Sequence, residues 1–274
     1  MNRKCFLAVL SASTLLGAGC TSSVPYPESV REDTKDTYFG TEVADPYRWL
    51  ENDTTQRVAA WVQAQNALTY SYLEKIPFRD KLRGRISELF NFDTESVPQY
   101  TGKYYLFYKK EGLANQSVLY IKDSLNGEAR VLLDPNKLSS DGTVALSGTS
   151  VSNDSKYLAY QVADAGSDWT TIHVLDLATG QQLPDKLAWT KFSGMAWQGD
   201  GFYYSRYNAP EAGKELSNIN EYHKLYYHKL GDPQEKDRLV YEMPDAPLRN
   251  VYGTTTEDGR YLFISETEST EGNS

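Results

Sequence analysis

Hydrophobic residues between positions 53 and 90 recur at the three- and four-residue spacing of one helix face. Asp53 or Thr54 is placed to cap a first helix that ends near Leu73, and Pro77 interrupts the pattern before a second, shorter helix. The positions that recur are Val58, Trp61, Val62, Gln65, Leu68, Tyr72, Leu73, Leu82, Ile86, Leu89 and Phe90. Because two short helices cannot enclose a core, we expect their apolar faces to cover another domain.

From about residue 100 the pattern changes to short aromatic-rich segments that follow turns. These units are TGKYY (residues 101–105), NDSKY (153–157), GDGFY (199–203) and EDGRY (257–261). After each of the first three come two more apolar segments joined by a glycine turn. Both kinds of turn recur at a period of about 50 residues. Their landmarks are Asp154, Asp200 and Asp258 in the first kind and Gly127, Gly180 and Gly231 in the second.

A period near 50 with about four strands per repeat is typical of a β-propeller blade. A generic antiparallel sandwich with similar turns is the alternative, and either interpretation makes the region all β. The fourth unit stops after one strand, so the pattern holds about three and a fraction blades. Since propellers close with at least four blades, we expect an incomplete ring with open strand edges.

The first nineteen residues have the organisation of a secretory signal peptide. Arg3 and Lys4 precede an apolar stretch over residues 6–16 that is too short to span a bilayer, and small residues lead to Cys20. The segment resembles a bacterial lipoprotein signal, which makes Cys20 the expected lipid attachment site and residues 20–27 a linker. Ordinary signal-peptidase cleavage, leaving a soluble periplasmic protein, is the alternative. Because Thr21 and not Asp follows the cysteine, the resemblance implies the periplasmic side of a bacterial envelope, anchored to the outer membrane.

Composition narrows the partners. The chain has 37 acidic and 28 basic residues and a formal net charge of -9, which argues against a nucleic-acid partner. A content of 40% hydrophobic residues is enough for a core, and 21 tyrosines favour sheet structure. The only cysteines are Cys5, inside the leader, and Cys20, so no disulfide is expected after cleavage. A small molecule or a peptide is the expected partner.

Several long motifs closely resemble the N-terminal part of the prolyl oligopeptidase family, from about Tyr26 to the end of the chain. They are DPYRWLEN (45–52), QNALTYSYLEKIP (65–77), NQSVLYIKDSLNGEARVLLDPNKLSSDGTVAL (115–146), GSDW (166–169), KFSGMAW (191–197) and GFYYSRY (201–207). The resemblance implies a seven-bladed propeller inserted in an α/β-hydrolase. It divides the chain into a helical segment at 28–90, which packs on the missing hydrolase domain, and an incomplete propeller at 91–274.

The resemblance also implies an activity and a site. Family members cut short peptides after proline with a Ser-Asp-His triad that lies in the C-terminal hydrolase domain, beyond Ser274. Phe192 matches a family phenylalanine that lines the substrate pocket. Asp168 matches a position whose carboxylate pairs with a substrate-binding arginine of the hydrolase domain. Asn250 falls near a pocket methionine of the mammalian enzymes, and Thr267 and Thr270 replace an arginine and a cysteine.

No catalytic residue is assigned within the chain. It contains no G-x-S-x-G pentapeptide, the strained turn that exposes the nucleophilic serine in α/β-hydrolases. The histidines, His173, His223 and His228, lie in or beside predicted strands, and we interpret them as strand-surface or turn residues rather than general bases. His223 and His228 have no third ligand in the pattern, so neither a metal site nor a cofactor is expected.

The sequence therefore predicts the N-terminal fragment of a post-proline serine endopeptidase of the cell envelope. Its expected partners are short proline-containing peptides, its own missing hydrolase domain and the membrane to which the lipid attaches. A non-catalytic propeller lipoprotein that binds peptides or glycans is the alternative. A glycosidase is not favoured, because the aspartates of the repeats occupy hairpin turns, where the backbone itself favours aspartate.

Overall fold

A computed structural model describes residues 24–164, 166–215, 218–268 and 271–273, the last of these by backbone only. The predicted signal peptide and Cys20 lie outside the described residues, as does Thr270. The chain divides into two compact units, Met1–Pro77 and Phe78–Ser274. No helix within the described ranges has the length and apolar content needed to cross a bilayer.

The first unit consists of a hairpin, a 3-10 turn and a long helix. Strand β1 (Lys35–Tyr38) pairs antiparallel with β2 (Thr41–Ala44), and a 3-10 helix at Arg48–Glu51 leads to helix α1 (Gln56–Leu73). The side chain of Thr55 accepts a hydrogen bond from the Val58 amide and caps α1. Sequence analysis placed the cap at Asp53 or Thr54, one or two residues too early. The predicted end at Leu73 is confirmed.

The DPYRWLEN motif holds the first unit together through polar and aromatic contacts. Arg48 pairs with Asp45, Nε to Oδ2 at 2.8 Å, and also with Asp36 of β1. Trp49 lies edge-to-face with Trp61 of α1 at 6.4 Å between ring centroids. These contacts tie the 3-10 turn to both the hairpin and the helix.

The apolar faces of the two helices are largely uncovered by the described residues. Val58 is the buried residue of α1, and helix α2 (Arg79–Phe90), which belongs to the second unit, has none. Leu82, Ile86 and Leu89 of α2 are all exposed. The helices thus have the predicted apolar faces, and the predicted domain boundary near residue 90 stays a prediction.

Sixteen strands of the second unit form four antiparallel sheets that follow one another along the chain. The first sheet holds β3 (Thr94–Glu95), β4 (Gln99–Tyr100), β5 (Tyr105–Lys110), β6 (Val118–Lys122) and β7 (Arg130–Leu133). The second holds β8 (Ala145–Val151), β9 (Tyr157–Ala163), β10 (Thr170–Asp176) and β11 (Gln182–Thr190). The third holds β12 (Met195–Gln198), β13 (Gly201–Arg206), β14 (Lys224–Lys229) and β15 (Arg238–Tyr241). The fourth holds β16 (Arg249–Thr255), β17 (Leu262–Glu268) and β18 (Glu271–Asn273).

This arrangement confirms the predicted mainly β fold and a partial propeller, and no closed ring is present among the described strands. The second, third and fourth sheets are meanders, because strands that are neighbours in sequence pair with each other, whereas in the first sheet β3 and β4 both pair with β5. The first strands of the second, third and fourth sheets are linked side by side. Trp197 Nε1 of β12 donates to Ser150 O of β8 at 3.0 Å, and Thr255 of β16 donates to Trp197 O at 3.0 Å.

The core consists of layers between successive sheets. Alternate residues of β13 point to opposite faces, so Phe202 and Tyr204 pack against the second sheet while Tyr203 packs with Val251 of the fourth. Between the first and second sheets the layer is built from Leu119, Ile121, Leu158 and Tyr160. The two-residue period of a strand therefore fills both interfaces of a sheet at once.

Candidate functional site

The residues singled out by sequence lie at the same end of the strands in their sheets. Asp168 precedes β10, Phe192 lies between β11 and β12, and Asn250 is near the start of β16. In an antiparallel meander the hairpin turns after β8, β12 and β16 lie at the opposite strand ends. These turns hold Asp154, Asp200 and Asp258. The aspartates of the repeat turns and the candidate site residues thus lie at opposite ends of the strands.

Lys191 brings Asp168 and Phe192 together. Its Nζ atom lies 3.3 Å from Asp168 Oδ2 and 5.3 Å from the centroid of the Phe192 ring. The same ammonium lies 5.4 Å from the ring of Trp169. Lysine over aromatic faces at these distances is an attractive cation–π arrangement. The carboxylate that sequence analysis assigned to an arginine of another domain is therefore held, in this chain, by its own lysine.

The loop that carries Phe192 has an uncommon backbone conformation. Trp189 has φ +60° and Phe192 has φ +52°, in the left-handed region that bulky residues rarely adopt. Tyr222, in the neighbouring loop, has φ +60°. Such conformations cost free energy and persist where surrounding contacts impose them, often at functional sites.

Hydrogen bonds from three different elements fix the carbonyl groups of this loop. Tyr207 N–H, just after β13, donates to Trp189 O at 3.2 Å. Gln161 Nε2 of β9 donates to Ser193 O at 3.0 Å. The His223 ring contacts the carbonyl between them, Lys191 O, at 3.1 Å. The loop therefore presents Phe192 from a fixed backbone, although the Phe192 side chain itself is 52% exposed.

His223 is buried and serves as the connector between this loop and the fourth sheet. Its Nδ1 accepts a hydrogen bond from Val251 N–H at 3.0 Å, so Nε2 carries the proton and donates to Lys191 O. Burial lowers the pKa of His223 to about 4, which leaves the ring neutral at pH 7. The expectation of a surface or turn histidine is wrong, because both ring nitrogens are used inside the fold.

Polar groups surround the position that matches a pocket methionine in the resemblance. Tyr207 Oη donates to Asn250 Oδ1 at 2.6 Å, and Asn250 is directly opposite Thr267 in the β16–β17 register. Burial raises the pKa of Tyr207 to about 12, so the phenol is a hydrogen-bond donor at neutral pH. The structure thus places Asn250 and Thr267 together, close to the ring of His223, which is tilted against Tyr207 with 4.5 Å between ring centroids.

A second buried polar network lies in the interface of the second and third sheets. His228 is held between Asp185 of β11, 2.9 Å from Nε2, and Asp237, 2.7 Å from Nδ1. Burial alone lowers the pKa of His228, but the two carboxylates more than offset it and raise this pKa to about 9. His228 is fully buried, so the surface interpretation is wrong for this residue too. Its contacts are within the chain and join two sheets.

A cavity of about 630 Å³ opens beside Trp169 and Trp189 on the second sheet. His173 and Lys186 are also among its lining residues. His173 is held by Gln182, with 3.2 Å between Nε2 of the amide and Nδ1 of the ring. Neither Phe192 nor Asp168 lines this cavity, although Trp169, whose ring lies near Lys191, does.

The sequence motifs contained most of this site, although its lysine and histidine were not recognised as members. Lys191 and Trp169 stand inside the quoted KFSGMAW and GSDW motifs, next to the two residues that were chosen. His223 lies in no motif, and its partner Val251 is far along the chain. A local pattern therefore had no feature that could place it.

Comparison with known proteins gives consistent matches. Residues 27–274 match the family described as prolyl oligopeptidase, N-terminal beta-propeller domain. The prolyl endopeptidase of Elizabethkingia miricola is 43% identical over 263 residues, covering 96% of this chain and 37% of that protein. The dual function macrocyclase-peptidase POPB of Galerina marginata is 35% identical, covering 89% of this chain and 37% of that protein.

Solved structures give the same result. Prolyl oligopeptidase B from Galerina marginata, bound to a 35mer hydrolysis and macrocyclization substrate, matches with a TM-score of 0.75 and 32% identity, over 90% of this chain and 37% of that one. A chain from a study of two prolyl endopeptidases matches with a TM-score of 0.60 and 38% identity, over 90% of this chain and 35% of that one. The chain thus spans little more than a third of the length of these relatives.

Proposed function

The chain belongs to the prolyl oligopeptidase family, and on that premise we propose that it is the N-terminal portion of a serine endopeptidase that cleaves short peptides after proline. The observation that carries the proposal is the 43% identity to a prolyl endopeptidase across 96% of the chain. At 96% coverage the aligned region includes the segments that carry Phe192 and Asp168, and identity at this level is more than a shared fold requires.

The candidate site contributes peptide binding rather than chemistry. The exposed ring of Phe192 offers an apolar surface to a peptide side chain, and Asp168, 71% exposed, offers a carboxylate to a cationic group. The hydrogen bonds to the loop carbonyl groups hold the backbone that carries Phe192, so the loop has little freedom left to lose when a peptide binds. Because less entropy is lost, binding is tighter.

Hydrolysis would require a nucleophile and base from outside these 274 residues, since no nucleophile elbow occurs among them. The exposed apolar residues of α2 are a suitable surface for such a domain, whose burial would remove Leu82, Ile86 and Leu89 from water. The chain alone is therefore expected to be inactive.

The test is to assay two proteins with a Gly-Pro reporter peptide. One is the product of the complete coding sequence, and the other is residues 20–274 alone. Cleavage after proline by the first and none by the second supports the proposal. A complete product that binds such peptides without cleaving them favours the non-catalytic alternative, and cleavage by residues 20–274 alone contradicts the assignment of catalysis to another domain.

We also propose that Cys20 is acylated and anchors the protein in the bacterial envelope. The support is sequence alone: a basic start, a short apolar stretch and small residues before the cysteine. Metabolic labelling with a palmitate analogue tests this in cells. Label in the wild type that disappears in Cys20→Ala supports acylation, and equal label in both contradicts it. Cys5→Ala is the matched control, since that residue lies in the leader and should leave labelling unchanged.

A further inference from the structure

Lys191 is a lysine with unusually little solvent exposure at the candidate site. Only 12% of its side chain is exposed, whereas lysines are almost always at the surface. Removing an ammonium from water is costly unless a carboxylate or aromatic faces replace the lost hydration. Here Asp168 and the rings of Trp169 and Phe192 supply that replacement.

The same contacts constrain the two residues that a peptide would meet. Asp168 is largely exposed, so the Oδ2 contact to Lys191 is what fixes its orientation. The Phe192 ring is half exposed, and the Lys191 ammonium lies 5.3 Å from its centroid, which favours one orientation of the ring. Lys191 itself is anchored through its carbonyl group by His223.

We propose that Lys191 is a positioning residue for peptide binding, holding the Phe192 ring and the Asp168 carboxylate in one arrangement. This inference rests on the proposed function. Lys191 contacts a peptide only through these two neighbours. Its loss frees both groups to move, so that a peptide must order them when it binds. Such a cost is paid equally by the bound substrate and the transition state, and it raises KM while leaving kcat unchanged.

The experiment compares variants of the complete enzyme with a peptide series cleaved after proline. Lys191→Met keeps the length of the side chain and removes the charge, and it is expected to raise KM about tenfold with kcat within about twofold. Lys191→Arg keeps a cation that pairs with carboxylates and stacks on rings, and it is expected to restore KM to within about threefold of wild type. Lys186→Met removes an exposed lysine of β11, the strand before the loop, and should change neither constant.

A double variant tests whether Lys191 acts through Asp168. Asp168→Asn alone should also raise KM, and because Asp168 is exposed this variant should fold normally. In Asp168→Asn with Lys191→Met the increase in KM should be smaller than the product of the two single increases, since both remove the same contact. If Lys191→Met fails to fold, the comparison of Asp168→Asn with Lys191→Arg carries the test.

The outcomes separate the two proposals. A wild-type enzyme that does not cleave after proline contradicts the proposed function, whatever the variants do. An active wild type with an unchanged KM in Lys191→Met overturns the positioning role. So does an equal fall of kcat and kcat/KM, which would place the effect in the transition state rather than in binding.

Discussion

The imidazole of His228 lies 2.9 Å from the carboxylate of Asp185 in the interior of the fold, with neither side chain exposed to solvent. Asp237 binds the other ring nitrogen at 2.7 Å and also accepts from Tyr204 Oη at 2.6 Å. His228 belongs to the third sheet and Asp185 to the second, so the ion pair joins two propeller blades. Removing one partner of such a buried pair strongly destabilises the fold, because the other charge is left buried and unpaired.

This pair makes stability depend on pH above neutrality. The folded-state pKa of His228 is raised to about 9, above its unfolded value near 6.5. Its contribution is therefore complete below about pH 6.5 and is lost as pH rises toward 9, by an amount on the order of 3 kcal/mol. Calorimetry of the complete protein that contains this chain should show a falling melting temperature for the propeller between pH 7 and 10.

Two variants test that assignment. His228→Gln should be less stable at pH 7 and should lose most of the pH dependence in this range. His173→Gln is the matched control, because burial lowers the pKa of His173 and it is already neutral above pH 7. A fall of equal size in wild type and in His228→Gln would place the titrating group elsewhere.

The loop histidine should have the opposite dependence. His223 has a folded pKa of about 4, below its unfolded value near 6.5, so stability is present above 6.5 and is lost as pH falls through 4. NMR of selectively labelled histidine should show a neutral ring protonated on Nε2 at pH 6. A cationic ring, protonated on both nitrogens at that pH, would contradict the hydrogen bond from Val251 N–H to Nδ1.

Removing His223 should also disturb the Phe192 loop. His223→Leu leaves Val251 N–H and Lys191 O without partners in the interior, at a cost of about 2 to 4 kcal/mol. Urea unfolding measures this cost, with His173→Leu as a half-buried control that should lose less. Equal losses in the two variants would mean that the two hydrogen bonds contribute little.

Local sequence predicted the elements because the physics that forms them is local. The turn at Gly180, with φ +71°, needs a residue free of a Cβ, and alternation along β13 assigns Phe202 and Tyr203 to opposite faces. The burial of His223 and His228 was missed because histidine occurs both inside and at the surface, so the residue type alone does not decide its burial. Their partners, Val251 and Asp185, are brought near only by the packing of one sheet on another. Lys191 was missed because a lysine is rarely withdrawn from solvent unless it is paired, and sequence alone did not show which groups would surround it.

The close approach of Gly201 to β14, the strand that pairs with β13, can be tested by substitution. A Cβ on Gly201 would lie 1.9 Å from His228 O, a backbone atom that cannot move without breaking the strand pair. Gly201→Ala is therefore expected to destabilise the protein by about 3 kcal/mol or more. Gly84 of α2 has open space around its Cβ position, so Gly84→Ala should instead stabilise by about 1 kcal/mol. Thermal unfolding of both variants gives the comparison, and a mild effect of Gly201→Ala would contradict the close approach.

Two phenylalanines of neighbouring elements separate binding from stability. Phe192 is 52% exposed, so Phe192→Ala should cost less than about 1 kcal/mol of stability while raising KM for peptides. Phe202, ten residues later, is fully buried between the rings of Trp197 and His228, and Phe202→Ala should cost about 3 to 5 kcal/mol. Unfolding and kinetics of the complete enzyme measure both effects. An unchanged KM in Phe192→Ala would show that the peptide does not contact the exposed ring.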